Sequence, residues 1–152
     1  MENNHYQFEN NPEFHVWDLE NYASIDSKKR FEQSWMKKFI RKNDTVLDIG
    51  CGPGYTTKII HDNGINVLGI DLNEQLVAMA KNEGLPVEKI DALEAIEKKG
   101  KEYSFFLMSD FVEHVPLQVV FDILNKIKEI ILKHIKSRES CVINNAESWD
   151  DL

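Results

Sequence analysis

Four side chains with the chemistry to meet a ligand fall within 44 residues: the carboxylates of Asp48, Asp71 and Asp91 and the thiol of Cys51. Between the first two acids runs Gly50-Cys51-Gly52-Pro53-Gly54, a bend from which three Cβ atoms are missing. Such a bend forms where the backbone turns sharply or lets another molecule come very close. Asp71 closes a second apolar run, near the ~20-residue offset at which dinucleotide folds place a ribose-binding acid. A carboxylate accepting two ribose hydroxyls makes charge-assisted bonds worth roughly 1.5–3 kcal/mol each. The plainer role for Asp71 is to cap the helix that follows. Asp91 ends a third run and could reach an adenine amino group, with the N–H of Ala92 on the neighbouring ring nitrogen. Its plainer role is that of a solvated turn acid.

The spacing also limits which nucleotide fits. A dinucleotide fingerprint reads G-x-G-x-x-G, whereas here the turn is G-x-G-x-G and Tyr55 takes the final slot. Asp48 stands two residues before the turn, where its charge repels a pyrophosphate and attracts a cation. No Gly-Lys-Ser/Thr follows, which excludes a Walker loop. These residues point to a ligand that carries adenosine and positive charge. Cys51 has no neighbour in sequence that would orient it as a nucleophile, so a small filler is its simpler reading. No His, Cys or Asp pair has convincing metal-ligand spacing, so no metal is expected.

The elements needed to hold these groups are legible around them. Within Thr45–Ile49, Val46, Leu47 and Ile49 are apolar and mostly β-branched, as a strand buried on both faces requires. A helical stripe (Phe31, Trp35, Met36, Phe39, Ile40) precedes it over 27–40. Tyr55–Asn63 predicts a helix that Gly64 stops. Val67–Ile70 is the second strand, and Asn73 N-caps the next helix with Glu74 in its first turn. Leu85–Ile90 predicts a third strand, Ala92–Lys99 a short helix and Tyr103–Met108 a fourth strand. Pro116 opens a long helix with apolar positions from Val120 to Ile135, and Cys141-Val142-Ile143 predicts a fifth strand. There is no internal repeat or low-complexity tract. The fold class is therefore α/β: a Rossmann-like doubly wound sheet, mainly parallel, in the order 3-2-1-4-5. Its switch point lies beside the first strand, so the glycine bend opens into the crevice.

The 152 residues suffice for one domain. Residues 1–26 read as an N-terminal arm with scattered aromatics, and 27–152 as the domain. Tyr6, Trp17 and Tyr22 could fold over the crevice as a lid or pack as an outer patch. A formal charge of −8 argues against a broad grip on nucleic acid or anionic lipid. Two cysteines suit a reduced, cytoplasmic setting. No run approaches the ~18 apolar residues of a membrane span, and the first residues lack signal character.

Val46-Leu47-Asp48-Ile49-Gly50-Cys51-Gly52-Pro53-Gly54 resembles the first motif of class I S-adenosylmethionine-dependent methyltransferases. Gly69-Ile70-Asp71-Leu72 with Ala78-Met79-Ala80 resembles the second. Leu107-Met108-Ser109-Asp110-Phe111-Val112-Glu113-His114-Val115 is similar to the strand-four motif of the small-molecule and glycan branch. The likeness covers residues 31–145. It implies S-adenosylmethionine as cofactor, with Asp48 and the backbone at Gly50 and Ser109 on the methionyl part. It implies Asp71 on the ribose, Leu72 on the adenine, and Asp91 and Ala92 on the adenine edge. Cys51, Gly52, Gly54, Asp110 and Phe111 complete the implied cofactor site. Methyl transfer needs alignment and exclusion of water, and an acceptor that must lose a proton gains from a base. His114 is the candidate base. Its plainer role is to order the loop with Glu113 or to cap the helix at Pro116.

Members of the family carry two further strands after the fifth, and strands 6 and 7 are missing here. The favoured expectation is a fragment of a longer enzyme, ahead of a partner over the fifth-strand edge (self-association included) or a cofactor-binding module without complete activity. The leading expectation is methyl transfer to a small molecule, a sugar or surface-polysaccharide intermediate among the options. The alternative is a truncated or non-catalytic cofactor-binding module. A nicotinamide oxidoreductase is disfavoured by Tyr55 and Asp48.

Overall fold

A computed structural model describes residues 26–109 and 111–146, the last thirteen as backbone only. The N-terminal arm with Tyr6, Trp17 and Tyr22 lies outside the described residues, as does Asp110. The elements are α1 (Ser27–Gln33), α2 (Met36–Phe39), β1 (Thr45–Ile49), α3 (Tyr55–Asp62), β2 (Asn66–Asp71) and α4 (Glu74–Asn82), followed by β3 (Val87–Lys89), α5 (Ala92–Lys99), β4 (Phe105–Leu107) and α6 (Leu117–Ala146). Short 3-10 turns at Gly100–Glu102 and Val112–His114 flank β4.

The strands form one parallel sheet in the order β3-β2-β1-β4. Alternate residues of β1 feed the two faces, as the period of two demands. Val46 joins Phe31, Met36, Ile40, Ile60, Ile65, Val67 and Leu107 on one side. Leu47 and Ile49 join Ile70, Ala95, Ile96, Ile123 and Ile127 on the other. Each fully buried aliphatic side chain contributes roughly 1.5–3 kcal/mol. These two layers clamp β1 and hold the bend at its carboxyl end.

The local signals explain the helix ends. Asn73 Oδ1 accepts from the N–H groups of Gln75 and Leu76 and starts α4. Gly64, at φ +73°, closes α3 by donating to the His61 carbonyl. The stripe over 27–40 forms two helices where one was expected. Ser34 Oγ donates to the Phe31 carbonyl and accepts from the Met36 N–H, so a hydroxyl competes with the helical ladder. The third and fourth strands are shorter than expected.

The expected fifth strand is corrected outright. Cys141, Val142 and Ile143 belong to α6, and the described sheet ends at β4. Between Ile135 and Cys141 there is no glycine or proline to stop the helix. The sheet order is therefore 3-2-1-4, and the edge expected at strand five is not formed by residues 141–143.

Candidate functional site

The crevice at the carboxyl ends of β1, β2 and β4 gathers most of the predicted residues. Gly50 N–H and Cys51 N–H both donate to the Ile70 carbonyl, at 2.8 and 3.0 Å, and this fastens the bend to the end of β2. Gly50, Gly52 and Gly54 have φ of +73°, +54° and +88°. All three occupy the left-handed region, where a side chain would be strained. Gly54 then serves as the N-cap of α3. Over Gly52 the nearest heavy atom to a would-be Cβ is Leu76 Cδ1 at 4.0 Å, so that part of the bend is open.

Asp71 bridges the two halves of the crevice. Its Oδ2 accepts from Gly52 N–H at 2.9 Å and its Oδ1 from Asn73 N–H at 2.8 Å. Each oxygen of an ionised carboxylate has two lone pairs, so these bonds fix its direction and leave capacity to accept more. Asn73, not Asp71, provides the side-chain cap of α4. Leu72 follows with 47% of its surface exposed. The end of β3 lies alongside, where Ile90 N–H donates to the Asp71 carbonyl at 3.2 Å. Asp91 Oδ1 accepts from Leu93 N–H and Glu94 N–H and so caps α5. Ala92 is half-buried at the first position of that helix.

Asp48 points the other way from what a direct ligand contact suggests. It is 1% exposed, and Thr57 Oγ1 donates to its Oδ2 at 2.7 Å. Burial raises its pKa to about 6, the Thr57 hydrogen bond opposes that rise, and the negative charge of Asp71 adds to it. Cys51 is buried too, and burial, reinforced by Asp48 and Asp71, pushes its thiol well above the usual range. A thiol so protonated is a poor nucleophile. Its side chain and Thr57 occupy the space a Cβ at Gly69 would need, at 2.9 and 2.6 Å.

On the β4 side, Ser109 is half-buried and Phe111 packs against Gly50. His114 is exposed on the turn Val112–His114, its N–H donating to the Phe111 carbonyl at 3.1 Å. Asp48, Gly50, Cys51, Gly52, Gly54, Asp71 and Phe111 therefore converge, Asp91 and Ala92 line up beside Asp71, and His114 stands outward. Thr57, the close packing at Gly69 and the contact of Phe111 with Gly50 were missed by sequence reasoning. A hydroxyl in the first turn after the bend and a glycine opposite Asp48 were the available signals. Among the described residues, no group of three or more His, Cys, Asp or Glu could hold a metal ion, and no helix is long and apolar enough to cross a membrane.

A family model described as "Methyltransferase domain" matches residues 16–136. The ubiquinone biosynthesis O-methyltransferase of Hydrogenovibrio crunogenus is 33% identical over 81 residues, 49% of this chain and 34% of that protein. A tRNA (guanine-N(7)-)-methyltransferase of Clostridium botulinum is 30% identical over 87 residues, 55% of this chain and 37% of that protein. Among solved structures, a SAM-dependent methyltransferase from Archaeoglobus fulgidus superposes with a TM-score of 0.55 at 26% identity, covering 70% of this chain and 49% of that one. The PH0226 protein of Pyrococcus horikoshii gives a TM-score of 0.60 at 20% identity, covering 77% and 56%. The chain spans about a third of the length of the first curated relatives it matches.

Proposed function

The chain belongs to the methyltransferase-domain family, in the class I S-adenosylmethionine-dependent fold, and from that premise we propose that it binds S-adenosylmethionine in the β1–β2 crevice and directs its methyl group to a hydroxyl oxygen of a small molecule. The observation that carries the reading is the Asp71 carboxylate, held by Gly52 and Asn73 N–H groups beside a bend that is open at Gly52.

The residues present suit the cofactor. Asp71 accepts the two ribose hydroxyls, Leu72 lies against the adenine, and the first-turn N–H of Ala92 reads the adenine edge. Asp91 contributes by capping α5 and so aiming that N–H. Gly52 lets the backbone approach the ligand. Asp48 acts from beneath, through Thr57, on the first turn of α3. When bound, the cofactor supplies a methyl group activated by a sulfonium. His114, on the exposed turn that follows β4, takes the acceptor proton.

The acceptor class rests on the O-methyltransferases of ubiquinone biosynthesis among the relatives. These relatives do not support a sugar acceptor. The formal charge of −8 weighs against a tRNA acceptor, because phosphate recognition draws on Lys and Arg.

Titration calorimetry with S-adenosylhomocysteine tests the cofactor half. Heat with one-to-one stoichiometry is expected, and its absence sinks the assignment. A methyl-release assay over small hydroxyl compounds tests the acceptor half. Cofactor binding with no release on any acceptor would leave a binding module in place of an enzyme.

A further inference from the structure

The glycine bend is open at one end and filled at the other. Over Gly52 there is space, but a Cβ at Gly50 would overlap Phe111 Cδ2 and lie 3.1 Å from Cγ and 3.2 Å from Cβ. The ring of Phe111 thus rests on the backbone of Gly50, in the place that its missing side chain leaves. Its inner side packs into the cluster of Leu47, Ile49, Ile70 and Ile123, so the ring is held from within. The backbone carbonyl of Phe111 accepts from His114 N–H at 3.1 Å, where the turn Val112–His114 begins.

We propose that Phe111 is a specificity-determining residue that closes the Gly50 end of the crevice, so that a ligand extending past the ribose toward Gly50 must displace the aromatic ring. The inference rests on the reading of the crevice as an adenosyl-cofactor site and goes beyond it, because it makes ligand length the quantity sensed. A ligand confined to Asp71 and the open bend at Gly52 does not meet the ring. A ligand with an aminoacyl tail does, and it gives up part of its binding energy to move it.

The test compares two ligands of different reach, S-adenosylhomocysteine and 5′-methylthioadenosine, the latter lacking the aminoacyl tail. Dissociation constants are measured by calorimetry for the wild-type chain, Phe111→Ala and Phe111→Leu. The expected result is that Phe111→Ala tightens S-adenosylhomocysteine about threefold or more while methylthioadenosine is unchanged, with Phe111→Leu between them. Weaker binding of S-adenosylhomocysteine in both variants, at unchanged methylthioadenosine affinity, would make the ring a contact and overturn the proposal. An equal change for both ligands overturns it as well, because a general packing defect has no reason to respect ligand length. Should Phe111→Ala fail to fold, Phe111→Leu decides alone, as it keeps the apolar volume on the core side. If the wild-type chain binds neither ligand, the cofactor reading itself fails, an outcome distinct from all of these.

Discussion

The two sides of the crevice are built on opposite plans. On the β1–β2 side, the polar groups are tied to one another: Gly50 and Cys51 to Ile70, Gly52 and Asn73 to Asp71, Thr57 to Asp48. On the β4 side, a three-residue strand leads into an exposed 3-10 turn, with Val112, Glu113 and His114 all open to solvent. The first side is a preorganised mould, the second a surface open to solvent. Preorganisation is useful where one fixed ligand is gripped, because no ordering cost is left to offset. An adaptable surface suits a reacting partner whose identity varies between relatives.

The largest effect that can break this contrast is expected at Asp71. Replacing it with Ala removes the acceptor proposed for the two ribose hydroxyls and frees Gly52, which should weaken S-adenosylhomocysteine by about a hundredfold or more in a calorimetric titration. Retained affinity would mean that the bend alone grips the ligand and that the mould is not where binding originates.

Asp48 offers a second test, through pH. Its folded pKa of about 6 lies above the ordinary 3.8, because burial disfavours the charge. An acid whose pKa is raised on folding adds stability below its unfolded pKa and loses it as pH climbs through the folded one. Stability is therefore expected to fall between about pH 4 and 6, by on the order of 3 kcal/mol at about 1.4 kcal/mol per unit. Asp48→Asn keeps an acceptor for the Thr57 hydroxyl and removes the titration. Urea unfolding across that window should show a slope in the wild-type chain that is missing from the variant. Parallel curves for the two proteins would show that Asp48 ionises as freely as a surface acid.

How much of this was legible in the chain depends on what kind of force decides each part. The strands β1 and β2, the bend and the helix starts at Tyr55, Asn73 and Ala92 were readable, because local chemistry fixes them: β-branched runs, glycines, a capping amide. The parallel sheet followed from alternation of strand and helix, and the order of its first four strands from the family resemblance. Cys141-Val142-Ile143 misled because its residue types favour a strand while the chain before it carries no helix stop. The division at Ser34 was hidden because a hydroxyl bridging Phe31 and Met36 is a competition that spacing alone does not reveal. In the site, Asp48 reads from sequence as a ligand contact, but its partner Thr57 becomes visible only once β1 and α3 are folded together. The packing of Phe111 on Gly50 joins positions 61 apart and has no local signature at all.

Gly69 sharpens the same contrast through packing. A methyl group there would sit 2.6 Å from Thr57 Oγ1 and 2.9 Å from the Cys51 side chain, all within the mould. Gly69→Ala is expected to destabilise the chain by about 1–3 kcal/mol in urea unfolding, since a filled core must shift to make room. A neutral result would mean that Thr57 swings aside without cost and that its bond to Asp48 is dispensable.

The smallest effect on stability belongs to the opposite side. His114 is exposed on a turn whose neighbours are exposed too, and surface interactions of that kind are worth little. His114→Ala should therefore leave the unfolding free energy within about 0.5 kcal/mol of wild type. If His114 is the base, turnover on an accepted hydroxyl compound should nevertheless fall by about 10²–10⁴-fold, with cofactor affinity unmoved. Loss of stability and turnover together would make the turn a structural element like the β1–β2 side. Stability and turnover both unchanged would leave the acceptor to lose its proton to water, and the open side of the crevice would serve only to admit it.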